Sequence, residues 1–283
     1  MSFLDALAAS LPLLLISTGL LGLLVGSFLN VVIHRLPKMM EREWRQQARS
    51  ILQLDAAEEP PLTLNTPASH CPACNAPIRA WQNIPLLSWV FLRGRAACCG
   101  VRIGVRYPLV ELLTGLVSAA CAWQFGFGLV LIGALLLSWT LIALAFIDLD
   151  TQLLPDDLVL PLLWLGLLFS LIGGFVDLQS AVIGAIAGYL SLWLVFWAFK
   201  LTTGKEGMGY GDFKLLAALG AWLGWAALPQ IILLSSMVGA LSGIAMIITK
   251  RQQRGAAMAF GPFLAAAGWL ALMGVDLLAP LQR

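Results

Sequence analysis

Long apolar runs separated by short polar stretches dominate the chain. A helix needs roughly 20 apolar residues to cross about 30 Å of hydrocarbon. Runs of that kind lie at residues 11–33, 108–126, 129–147, 158–176 and 181–199, with three more at 213–228, 231–249 and 260–278. The sixth is the shortest, at 16 residues, and spans only as a short or tilted helix. One long polar stretch, residues 34–107, interrupts the series. The pattern predicts an all-α integral membrane protein of about eight transmembrane helices, with one sizeable insertion between helices 1 and 2. Three parts follow: a first transmembrane helix at 1–33, a loop domain at 34–107, and a seven-helix membrane domain at 108–283. The first run is read as a retained span. Only Asp5 precedes it among charged residues, and it is too long for the apolar region of a signal peptide.

Composition narrows the class. Of 283 residues 60% are hydrophobic and 11% charged, and mean hydropathy is +0.88. Soluble domains run near 25% charged, so this chain buries its surface in a lipid bilayer. Disorder, a small disulfide-stapled secreted fold and a nucleic-acid-binding domain are excluded. The net charge of +2 matters less than its placement. With eight spans, one set of loops (34–107, 148–157, 200–212 with Lys214 at its edge, and 250–259) holds 16 of the 17 Lys and Arg. That asymmetry puts the large loop in the cytoplasm and both termini outside. Gly-x-x-x-Gly pairs at Gly22/Gly26, Gly184/Gly188, Gly220/Gly224 and Gly239/Gly243 read as helix packing.

Acidic groups at the membrane boundary carry the candidate chemistry. The third run enters Asp148-Leu-Asp150, with Asp156 and Asp157 just beyond, and the fifth is followed by Gly207-Met-Gly209-Tyr-Gly211-Asp212. Both clusters face the cytoplasm. A lone Asp at a helix end is ordinarily a solvated charge. The short sixth run, however, draws Asp212 toward the interface, where a carboxylate is expensive and marks function. The glycines before it offer a backbone that another segment can approach closely. Two carboxylates in a low-dielectric site share a proton, so one serves as base toward water while the other polarises a carbonyl. That is aspartic-protease chemistry. With only His34 and His70, no Gly-x-Ser-x-Gly and no His-Glu-x-x-His, serine and zinc hydrolases lack support. Ion transport through intramembrane Asp stays open.

At this point the motifs resemble the type IV prepilin peptidases, bifunctional leader peptidase/N-methyltransferases. Gly26-Ser-Phe-Leu-Asn through Pro37, Asn83-Ile-Pro-Leu-Leu-Ser-Trp89 and Arg106-Tyr-Pro-Leu-Val-Glu111 are similar to the family's first-span exit and loop signatures. Phe146-Ile-Asp148-Leu-Asp150 through Asp156, Gly209-Tyr-Gly211-Asp212 and Phe260-Gly-Pro-Phe263 follow in the expected order. The resemblance implies that Asp148 and Asp212 are the catalytic pair, with Gly209, Gly211, Asp150, Asp156 and Asp157 supporting. It implies a bacterial inner-membrane enzyme whose substrates are prepilins and type II secretion pseudopilins. Their short basic leader is cleaved after Gly, and the new N-terminus is methylated from S-adenosylmethionine. No glycine-rich motif marks a pocket for that cofactor. The loop around Arg93-Gly94-Arg95 is the expected location, against the simpler reading of a solvated turn.

Cys71-Pro-Ala-Cys74 and Cys98-Cys99 fall in the same loop. In a reducing compartment four cysteines point to thiolate ligation of zinc rather than to disulfides, which makes the insertion zinc-ribbon-like. The second pair is not Cys-x-x-Cys. The family pattern has cysteines at positions 96 and 99, and this chain has Ala96 and an additional Cys98. Either Cys98 or His70 supplies the fourth ligand, or the thiols are structural. Cys121, inside the second span, reads as packing. Three alternatives stay beside the bifunctional enzyme: a leader peptidase without methyl transfer, a transporter, and a non-catalytic assembly scaffold. The sequence leaves the oligomeric state open.

Overall fold

The computed structural model describes residues 3–55, 60–71, 73–205, 207–249 and 258–275. Among these residues the regular structure is helical, with no strand beyond two isolated bridges. The chain packs as two units, Met1–Phe127 and Gly128–Arg283.

In the first unit a short helix α1 (Phe3–Ala9) precedes α2 (Leu11–Ile51). The Ser10 side chain accepts the Leu13 N–H at 3.4 Å, and Pro12 occupies the first turn, where its missing donor costs nothing. At 41 residues, α2 is roughly 62 Å long, twice the hydrocarbon thickness. The helix does not stop where the apolar run ends at residue 33: it runs through Pro37 to Ile51. Pro37 forfeits a single backbone bond, its neighbours Ile33 and Leu36 are buried, and the residues that follow are good helix formers. Glu41 and Arg45, one turn apart, pair at 2.6 Å. Beyond α2 come α3 (Leu87–Phe91) and α4 (Arg106–Phe125). Helix α4 lies against α2, where Gly22 and Gly26 leave room for Ser118, Thr114 and Glu111.

The second unit contains α5 (Leu129–Thr151), α6 (Asp156–Leu171), α7 (Leu178–Thr203), α8 (Tyr210–Leu223), α9 (Leu228–Ile248) and α10 (Gly261–Leu272). Every residue of α8 from Leu215 to Trp222 is buried, and α6, α7 and α10 pack around it. A helix apolar on all sides belongs in a core. Gly184 of α7 and Gly220 of α8 meet backbone to backbone, and a side chain on either would strike the other's carbonyl. The Trp222 indole N–H, buried at the end of α8, donates to the Leu162 carbonyl at 2.8 Å.

Among the described residues five helices are long and apolar enough to cross a bilayer: Leu11–Ile51, Arg106–Phe125, Leu129–Thr151, Leu178–Thr203 and Trp225–Ile248. This is the pattern of a multi-pass membrane protein. The other three apolar runs form helices α6, α8 and α10, of 16, 14 and 12 residues. They are roughly 24, 21 and 18 Å long, short of the hydrocarbon thickness.

Candidate active site

Three helix ends converge in the second unit. Helix α5 closes at Gln152, whose left-handed conformation (φ 55°) lets its N–H cap the Asp148 carbonyl at 2.9 Å. The side chain of Asp148, in the last turn of that apolar helix, is 4% exposed. Its Oδ2 accepts the backbone N–H of Gly261 at 2.9 Å. Gly261 is the first residue of α10, so the carboxyl also meets the positive end of that helix.

Asp212, the third residue of α8, is 7% exposed. Its carboxyl takes a backbone hydrogen bond from Gly209, the residue that precedes the helix, the geometry of half a capping box. Helix capping alone would account for an exposed Asp here, but not for one this deeply buried. The charge on Asp148 acts on Asp212 through space.

Leu154 ties the two carboxyls into one structure. A β-carbon at Gly211 would lie 2.7 Å from Leu154 Cβ. One at Gly261 would lie 3.2 Å from Leu154 Cδ2 and 2.8 Å from Asp148 Oδ2. Both glycines are therefore required for close approach. Gly209 is different: its φ of −80° is open to any residue, and a β-carbon there would come only within 3.8 Å of Asp212 Oδ2. What this glycine keeps is open space over the carboxyl.

The supporting acids divide. Asp156, at the start of α6, holds Lys214 of α8 at 2.7 and 2.8 Å, while Asp150 and Asp157 lie exposed at the ends of α5 and α6. Sequence reasoning missed Gly261, Leu154 and Lys214 as parts of the site. The Phe260-Gly-Pro-Phe263 motif was the signal for Gly261, Leu154 fell inside the segment from Phe146 to Asp156, and Lys214 stood two residues after Asp212.

In the first unit the four cysteine sulfurs of Cys71, Cys74, Cys98 and Cys99 lie within 4.8 Å of one another. Cys71–Cys99, Cys74–Cys98 and Cys98–Cys99 separations are 3.6, 3.3 and 3.8 Å. Tetrahedral zinc with bonds of about 2.3 Å sets its sulfurs about 3.8 Å apart, so the cluster can hold such an ion. Two hairpin-like turns carry the pairs, one closed by the His70–Pro77 bridge and the other by Arg95–Arg102. Cys98, at the tip of the second turn, supplies the sulfur that Ala96 cannot. His70 stands outside the cluster, with its Nδ1 on the Ala68 carbonyl at 3.0 Å. The backbone amides of Ala73 and Cys74 point at Cys71 and lower its thiol to about 6. Cys98 is pushed up to about 12, first by its hydrogen bond with Cys74.

Comparison with known proteins agrees with both halves. The family model described as the bacterial peptidase A24 N-terminal domain matches residues 20–125, and that of the type IV leader peptidase family matches residues 134–244. A prepilin leader peptidase/N-methyltransferase of Aeromonas hydrophila is 60% identical over 279 residues, covering 98% of this chain and 96% of the relative. The proteins of the same name from Pseudomonas aeruginosa and Neisseria gonorrhoeae are 56% and 54% identical. Their alignments cover 98% and 91% of this chain, and 96% and 90% of the relatives. No solved structure matches.

Proposed function

The chain belongs to the type IV leader peptidase family, and from that premise we propose that it removes the leader of prepilins and then methylates the exposed N-terminal amine. The observation that carries the peptidase reading is the burial of Asp148 and Asp212 at converging helix ends, each held by one backbone N–H.

One carboxylate of the pair takes a proton from water, and the resulting oxygen nucleophile adds to the scissile carbonyl carbon. The other carboxyl, protonated, donates to the carbonyl oxygen. Collapse of the tetrahedral species expels the new amine, which leaves with a proton, and returns the pair to its starting state. The Gly261 N–H holds Asp148 in place through this cycle, and Lys214 bound to Asp156 anchors α8 to α6 beside it. The open space above Gly209 admits the extended substrate backbone.

The membrane arrangement that suits this chemistry has eight spans, counting α6, α8 and α10, in the bacterial inner membrane. Both termini are outside and the dyad is at the cytoplasmic face, where a basic leader remains. Loop residues 34–107 then form a zinc-ribbon-like insertion ahead of the membrane domain at 108–283. Zinc on the four cysteines would brace the two turns. S-adenosylmethionine, when bound, supplies a sulfonium-linked methyl that a neutral amine accepts, the C–S bonding pair staying on sulfur and a proton leaving the nitrogen. Substrates are type IV prepilins and type II secretion pseudopilins, which share this leader.

The test is to incubate the detergent-solubilised chain with a prepilin and S-adenosylmethionine, beside Asp148→Ala and Asp212→Ala, and to weigh the product. Leader loss confined to the wild type, with the product heavier by one methylene unit, is expected. Cleavage by either variant removes the dyad, and an unmethylated product leaves a leader peptidase alone.

A further inference from the structure

Helix α3 is five residues long and has two faces. Ser88, Trp89 and, just past its end, Leu92 line a cavity of about 750 Å³ inside the first unit, as Glu111 does. On the other side Leu87, Val90 and Phe91 are 55%, 62% and 80% exposed, and spacings of three and four residues set them on one stripe. A single 3₁₀ turn at Ala80–Asn83 packs on α3 and brings Trp81 and the neighbouring Ile84, both about half exposed, to the same stretch. Single apolar side chains on a surface are ordinary, but a cluster this dense marks a surface that something covers.

Rotation of α3 cannot hide the stripe, because both ends of the helix are held. The Trp89 ring lies over the backbone of Gly94 (φ 68°), 3.0–3.4 Å from where a β-carbon would stand. Its indole N–H donates to the Ile103 carbonyl at 3.3 Å. Leu86 sits at φ 58°, ψ −49°, and the Leu87 N–H reaches back to the Pro85 carbonyl at 2.6 Å. This is a three-residue turn of the positive-φ kind, rare and strained in any residue with a side chain. Strain of that sort persists where the surroundings enforce it. Here the buried Glu111 does so, its Oε2 accepting the Leu86 N–H at 2.8 Å.

That bond also sets the level of α3. Glu111 lies in the second turn of α4, a candidate span of 20 residues. Such a helix is roughly 30 Å long and needs its whole length to cross the hydrocarbon. The start of α4 therefore stands at the polar boundary of the bilayer, with α3 beside it. The outer side of α4, exposed at Leu109, Leu112 and Leu116, continues past the helix start into the exposed Val105.

The charge around the stripe has one sign. Residues 60–110 contain five Arg and no Lys, Asp or Glu. Arg79 opens the 3₁₀ turn, Arg93 and Arg95 follow α3, and all three are exposed. Aromatic and aliphatic side chains bordered by cations alone match the boundary layer of a bilayer with anionic lipid.

We propose that the face made by Trp81, Ile84, Leu87, Val90 and Phe91 docks into the headgroup layer of the bilayer that α4 crosses, with Arg79, Arg93 and Arg95 on anionic phospholipid headgroups. The loop domain is thereby held against its own membrane. Only the choice of the cytoplasmic leaflet rests on the orientation proposed above.

The test uses the full chain in nanodiscs of phosphatidylcholine alone, or of phosphatidylcholine and phosphatidylglycerol in equal parts. Both leaflets of each disc have one composition, so an inverted orientation leaves every outcome unchanged. Phe91→p-benzoylphenylalanine, irradiated, inserts its ketone into a neighbouring C–H bond, and contact with lipid adds one phospholipid mass to the protein. The adduct is expected at Phe91 and in higher yield with phosphatidylglycerol. It is not expected from the same group in place of Trp44, roughly 16 Å along α2 beyond the apolar run. Each arginine at an anionic surface favours docking about fivefold. Adding Arg79→Gln, Arg93→Gln and Arg95→Gln together should therefore lower the yield in the mixed discs several-fold, with the thermal unfolding midpoint unchanged. No lipid adduct at Phe91 in either disc, equal yields in the two discs, or full yield in the arginine variant overturns the proposal. An adduct to a second copy of the chain, or to added prepilin in place of lipid, gives the face to a protein and overturns it as well.

Discussion

Gly261→Ala is the sharpest probe of the dyad, because it removes no catalytic group. The added methyl would stand 2.8 Å from Asp148 Oδ2 and 3.2 Å from both Asp148 Cγ and Leu154 Cδ2. Ordinary contact needs about 0.6 Å more at the oxygen. Relief by moving Asp148 stretches its 2.9 Å bond to the Gly261 N–H toward 3.5 Å, where little remains of it. Losing a hydrogen bond to a charged group costs about 1.5–3 kcal/mol, or roughly 10- to 150-fold in rate if the loss falls on the transition state. Relief by moving Leu154 instead carries an overpacking cost of about 1–3 kcal/mol, and disturbs Gly211 on its other side. The expected outcome is a folded protein whose kcat for leader removal falls at least tenfold with little change in KM. Timed mass spectrometry of a prepilin substrate reads the rate, and thermal unfolding confirms the fold. Methylation of an already cleaved pilin should continue. Full-rate cleavage by a folded Gly261→Ala protein would refute the claim that this amide positions Asp148.

Gly209→Ala makes the complementary case. Its backbone is unstrained, so the unfolding midpoint should hold, while the methyl over Asp212 should slow leader cleavage by several-fold through KM; unchanged kinetics would mean the substrate does not pass there. Gly220→Val forces a branched side chain into the Gly184 backbone and should cost several kcal/mol, seen as loss of folded protein on size-exclusion chromatography. Wild-type yield would contradict the packing of α7 on α8. At the cysteine cluster, zinc added to metal-free protein at neutral pH must expel the proton that Cys98 keeps up to about 12. Calorimetric heats should therefore vary with the buffer's ionisation enthalpy. Cys98→Ser should lower the bound zinc measured by elemental analysis, and stoichiometric zinc in that variant would leave Cys98 outside the ligand set.

Much of this protein is local in its chain and so can be read from it. Apolar runs near 20 residues and the clustering of basic side chains in one set of loops follow from transfer energies that each segment meets by itself. The membrane class, the positions of the helices, and the two aspartates as the acids of interest all come from such patterns. So do the four cysteines as one cluster, although the partner for Cys71, Cys74 and Cys99 stayed divided between Cys98 and His70. Helix continuity was harder to see: α2 passes Pro37 where Ile33, Leu36 and Pro37 itself are buried, and no window of sequence contains that burial. The depth of Asp212 depends on α8 being enclosed by α6, α7 and α10, not on its length alone.

Contacts between residues distant in sequence belong to the tertiary structure. Gly261 is 113 residues from the carboxyl it binds, and Lys214 is 58 from Asp156. Neither spacing has a period that a helix would print into the chain. Glu111 closes the Arg106–Glu111 signature in sequence, but only the fold brings the strained turn at Leu86 to its carboxyl and encloses a cavity beside it. A sequence records what each segment costs in water or lipid, and that determined the membrane helices here. Which backbone amide meets which carboxylate is set by how those helices pack, and that decided the site.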